Sequence, residues 1–149
     1  MLNIIISRLK KLKLHEIFGI LGFIPFLIII FLIFTNKDDV RIYLDLVIFY
    51  LFIIISFIGA TYWGLSISSK KNKSRLIIFS VIPSIIVTFV YLLNITIPIK
   101  LLIGIFFLNF IFFYEKAYFK NELPNWYLNL RRNLNFLVTS SILIIIFLL

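Results

Sequence analysis

The chain has 149 residues, 62% of them hydrophobic and only 14% charged, with 18 phenylalanines and a formal net charge of +9. Soluble domains carry roughly 25% charged residues, and a water-soluble chain of this size has too little interior to hide so much apolar surface. A soluble enzyme and a disordered tail are excluded; with no cysteine and one histidine, so are disulfides, thiolate metal sites, redox pairs and histidine clusters.

Crossing a hydrocarbon core of roughly 30 Å at about 1.5 Å per residue takes about 17 to 25 mostly apolar residues. Ahead of any such run, residues 1–16 are basic and amphipathic: Ile5, Leu9 and Leu12 alternate with Arg8, Lys10, Lys11 and Lys13, which suits a short helix lying in the interface. His15 and Glu16 fall at the inner membrane border. The stretch is short and poor in serine for a mitochondrial presequence. The first apolar run, about 17–34, exceeds the hydrophobic region of a signal peptide, and Phe34-Thr35-Asn36-Lys37 offers no small-x-small cleavage site. It reads as a membrane helix carrying Gly19 and Gly22 as contact residues and kinked at Pro25.

The second run, about 42–64, places Ser56, Ala60 and Gly64 at four-residue steps with Gly59 and Ser66 nearby, a seam where another helix can come close. Asp45 lies about a turn inside it. Helical geometry sends Asp45, Ser56 and Trp63 in nearly one direction, towards that seam. The third run, about 76–93, contains Pro83 flanked by Ser80 and Ser84. Ser80, Ser84, Thr88 and Tyr91 share a face expected to look into the bundle. The fourth, about 99–114, holds Asn109, a neutral polar group suited to bonding another helix.

Glu115, Lys116, Lys120 and Glu122 read as a solvated loop. Trp63, Trp126, Tyr62 and Tyr127 fall near inner-side helix ends, where such rings anchor; Pro124 suits the first turn of a helix, and Trp126-Tyr127 followed by Arg131-Arg132 reads as an interfacial elbow that anchors or docks. The fifth run, about 134–149, is short, and snorkelling by the two arginines lets it begin a turn earlier. Runs that are apolar all round, such as Ile142 to Leu149, do not suit the alternating strands of a β-barrel. The expected fold is an all-α, polytopic membrane bundle: one domain of five transmembrane helices over residues 17–149.

Twelve of the 15 Lys and Arg residues fall on one side of this arrangement, leaving Lys37, Arg41 and Lys100 on the other, with Asp38 and Asp39 offsetting the first two. Cytoplasmic loops keep such an excess, so the N-terminus is expected inside and Leu149 outside. The basic charge is then a topology signal rather than a nucleic-acid surface.

Several pieces, in order, resemble a known family. They are Leu21-Gly22-Phe23-Ile24-Pro25-Phe26, Ser56-Phe57-Ile58-Gly59-Ala60-Thr61-Tyr62-Trp63-Gly64, Val81-Ile82-Pro83-Ser84 and Leu123-Pro124-Asn125-Trp126-Tyr127-Leu128-Asn129-Leu130-Arg131. Together they resemble the domain of unknown function 3429 family of small bacterial and mitochondrial membrane proteins, whose animal relative is a mitochondrial transmembrane protein. Two positions depart: many members have His where Tyr62 stands and Gln near Asn109. The resemblance implies a multi-pass inner-membrane protein and supplies no activity. Richness in Ile, Lys, Asn and Phe favours a bacterial inner membrane over the mitochondrial one.

No Ser-His-Asp set, intramembrane carboxylate pair, His-Glu-x-x-His or phosphate-binding glycine loop is present in the sequence. The expectation is a non-enzymatic protein without cofactor or metal, packing against another membrane component or itself as an assembly or accessory factor. The alternative is a small oligomeric transporter using Asp45 and the Ser80/Ser84/Thr88 face, although no inverted repeat is evident.

Overall fold

The computed structural model describes residues 14–36, 38–68, 73–120 and 123–148. The basic amphipathic stretch up to Lys13, the side chain of His15, and Lys37, Lys70, Lys71, Glu122 and Leu149 lie outside the described residues.

All regular structure among the described residues is helical: α1 Leu14–Leu21, α2 Ile24–Thr35, α3 Val40–Ser68, α4 Lys73–Leu92, α5 Ile97–Tyr118 and α6 Asn125–Phe147. They form five spans of crossing length, because α1 and α2 together make the first, Glu16–Thr35. The spans follow the apolar runs of the sequence, but the fourth runs on to Tyr118 and the fifth begins at Asn125, nine residues before the expected start.

The first span breaks where the sequence suggested only a kink. Phe23 N–H bonds the Ile20 carbonyl, and Pro25 stands in the first turn of α2, where its missing N–H costs nothing. Pro25 therefore starts a helix rather than bending one. The Gly22 carbonyl at the break accepts a 2.7 Å bond from the Tyr50 hydroxyl of α3, the kind of substitute partner that lipid cannot offer. Pro83, by contrast, stays inside an unbroken α4.

The long α3 is the centre of the bundle, packing most extensively on α4 and also on α5 and α2; α6 lies on α5, α2 and α1. The buried face of α3 carries Leu44, Val47, Ile48, Leu51, Ile55, Ile58 and Tyr62, the three-and-four spacing of a helix stripe. Small residues admit close neighbours at specific points. A Cβ on Gly59 would stand 3.0 Å from the Ser80 carbonyl oxygen and 3.2 Å from the Pro83 ring, so the glycine seats the proline of α4. A Cβ on Gly19 would lie 3.1 Å from Leu130 of α6. Gly104 of α5, not singled out from the sequence, leaves room for Leu51 and Phe52.

Two of the expected seam glycines play other parts. Among the described residues nothing lies within 4 Å of a Cβ on Gly64, so there it makes no helix contact. Gly22 meets backbone of its own segment and the Tyr50 hydroxyl, and so belongs to the helix break rather than to a seam.

Candidate functional site

The end of α5 and the start of α6 carry the most concentrated polar chemistry in the bundle. Glu115 lies in the last turn of α5, fully buried, and Arg131 stands about two turns into α6 at 7% exposure. Arg131 Nε is 3.3 Å from Glu115 Oε2, and the Tyr127 hydroxyl donates to Oε1 at 3.3 Å. Arg131 Nη1 donates to Asn135 Oδ1, and Asn135 Nδ2 donates to the Leu108 carbonyl at 3.2 Å and to Asn109 Oδ1 at 3.5 Å. Asn109 Nδ2 donates to Thr139 Oγ1 at 3.0 Å and to its own helix at the Ile105 carbonyl. A polar ladder of two charges and four neutral side chains thus climbs the α5/α6 seam from near the helix ends into the apolar interior.

Burying one charge in a bilayer is expensive, and a pair is tolerated when each charge meets the other and the remaining lone pairs and protons find partners. Glu115 meets that condition through Arg131 and Tyr127. Arg131 meets it incompletely, because its Nη2 is buried with no hydrogen-bond partner. The Tyr62 side chain is fully buried, with its hydroxyl near the Glu115 carboxylate.

This cluster corrects two expectations. Glu115 is not part of a solvated loop, and Arg131 is neither a snorkelling anchor nor an exposed docking residue. The reason is helix length: α5 continues past Tyr114, and α6 is one continuous helix from Asn125 through Phe147 with Pro124 just before it, so Trp126 to Arg132 form its first turns rather than an elbow. A signal for both residues was present as spacing. Leu101, Gly104, Leu108, Ile111 and Glu115 are buried at alternating three- and four-residue steps, as are Arg131, Asn135, Val138, Ile142 and Ile145. Each charge continues its helix's buried stripe. Tyr127 joins the cluster, whereas Trp126 remains 43% exposed at the start of α6.

The expected polar path is divided by the fold. Asp45 and Trp63 are exposed and Ser56 half-buried, so the direction they share points away from the buried face of α3. On α4, Ser80 is buried, Ser84 half-buried, and Thr88 and Tyr91 exposed. Each four-residue step drifts about 40° around a helix, which carries the stripe from the interior at Ser80 to the periphery at Thr88. The Ser80 and Thr88 hydroxyls bond carbonyls of their own helix, at Ile77 and Ser84. On the outer side of the α3/α4 pair these small residues instead line a groove of about 620 Å³, where Ser56 and Ala60 face Ser84 and Thr88 between Phe49 and Phe57.

Five apolar spans with a polar ladder buried between two of them define a polytopic α-helical membrane protein. The family model described as "Protein of unknown function (DUF3429)" matches residues 13–147, and the chain belongs to that family. No curated protein and no solved structure matches it.

Proposed function

We propose that this protein is a non-enzymatic accessory or assembly component of the bacterial inner membrane, holding a transmembrane helix of another protein. The observation that carries this reading is the α3/α4 groove. Helices in lipid associate by close packing, for which small residues four apart are the usual means. Here two such pairs, Ser56/Ala60 and Ser84/Thr88, stand side by side on adjacent helices and open outward. Trp126, at the start of α6, adds an interfacial anchor near the basic side, where Lys73, Arg75, Lys116, Lys120 and Arg132 are exposed. The excess of Lys and Arg on that side supports an orientation with the N-terminus inside and the C-terminus outside.

The transporter reading has less support. Asp45 stands on the outward face of α3, and the Ser80 and Thr88 hydroxyls are engaged by carbonyls of their own helix.

Co-purification from mild detergent tests the proposal. Tagged wild-type protein is expected to retain a membrane partner in stoichiometric amount, and Ala60→Leu, which fills the groove, to lose most of it. Retention unchanged in Ala60→Leu, or recovery of the chain only with itself, would overturn the reading.

A further inference from the structure

A second cavity lies on the other side of α3. It has a volume of about 610 Å³, within the roughly 300 to 1,000 Å³ of small-molecule sites, and is a partly open cleft bordered by α3, α6, the first span around its break and Leu108. Its α3 wall runs from Tyr50 to Thr61 and its α6 wall from Trp126 to Val138, which at about 1.5 Å per residue makes it about 16 to 18 Å long. Its first-span wall is made of Phe18, Gly19, Gly22 and Phe23, the two glycines leaving room between the rings. The walls are almost wholly apolar; of the polar exceptions Thr61 and Tyr127 stand near the Trp126 end, Arg131 near the middle, Asn135 near Val138, and Tyr50 at the opposite end of the α3 wall. A long apolar cavity with few polar groups suits a largely apolar molecule that carries a polar group at one point.

The chemistry of Arg131 narrows the head group. Its charge is already compensated by Glu115, yet Nη2 is buried without an acceptor. An anion would leave uncompensated negative charge in a low-dielectric site, whereas a neutral carbonyl oxygen supplies an acceptor and no charge. We infer that the cavity binds an apolar-tailed molecule through a neutral carbonyl set beside Arg131. This chemistry is shared by isoprenoid quinones and by the ester carbonyls of acyl lipids. The site is separate from the α3/α4 groove, so either can fail without the other.

The test uses full-length protein, stripped of lipid in detergent, with adducts read by native mass spectrometry. The probes are decylubiquinone, a diacyl phosphatidylglycerol, and its diether analogue, which lacks ester carbonyls. Two variants accompany the wild type. Gly22→Leu fills the cavity at a position where only backbone of its own segment and the Tyr50 hydroxyl lie within 4 Å. Arg131→Lys keeps a cation beside Glu115 but removes the spare nitrogen. A saturable one-to-one decylubiquinone adduct identifies the quinone source. Diacyl lipid retained at least about tenfold more tightly than the diether identifies the ester source. Either adduct is expected to weaken about tenfold or more in both variants. The inference is overturned by equal retention of the two lipids without a quinone adduct, by no adduct at all, or by unchanged binding in either variant.

Discussion

Arg131 Nε of α6 lies 3.3 Å from Oε2 of Glu115 near the end of α5, a contact between residues sixteen apart that closes the last two spans on each other inside the bundle. It stands at one end of the run of polar contacts along that seam, where Tyr127, Asn135 and Thr139 of α6 meet α5 on the face that also carries Arg131.

Removing one member of a buried pair strands the other charge, which costs about 3 to 5 kcal/mol, whereas replacing both with apolar groups is far milder. Glu115→Leu and Arg131→Met are each expected to lower unfolding stability by that amount, and the double variant to recover most of it. Denaturation in mixed detergent micelles across the double-mutant cycle measures this. Additive losses would show that the two side chains do not depend on each other.

The glycines of α3 are expected to behave oppositely. Gly59→Ala drives a methyl against the Ser80 carbonyl and the Pro83 ring, and is expected to lose about 1 to 3 kcal/mol. Gly64→Ala meets nothing within 4 Å and gains up to about 1 kcal/mol from helix propensity. The thermal midpoints of the purified variants distinguish them; equal shifts would contradict the packing described.

Tyr50→Phe removes the 2.7 Å bond to the Gly22 carbonyl and leaves that acceptor unpaired at the break of the first span. The expected loss is about 1 to 3 kcal/mol, with faster amide exchange at Phe23 to Phe26 than in the rest of α2. Unaltered exchange there would mean that the break does not depend on the tyrosine.

Because the chain has no cysteine, orientation can be read from single introduced thiols. With the N-terminus inside, Asn94→Cys, in the exposed connection between α4 and α5, is expected to react with an impermeant maleimide in spheroplasts. Lys120→Cys, exposed at the opposite end, is expected to react only after permeabilisation. The reverse pattern would invert the topology.

The hydropathy of the sequence determines the number and approximate position of the spans, because each run must satisfy its own backbone and meet lipid along its own length; both are local requirements. Gly59 was legible for a related reason, since small residues at helical spacing mark close approach wherever the partner lies. Tertiary structure alone decided which face of each helix turns inward and which charges it carries there. Asp45 and Thr88 had the spacing of interior residues and stand outside. Glu115 and Arg131 had the polarity of loop residues and are buried, because the cost of enclosing each is offset only by the other, and that partner lies on a different helix. Local polarity measures what a residue loses by leaving water, while the contact that makes the loss tolerable appears only when α5 and α6 pack.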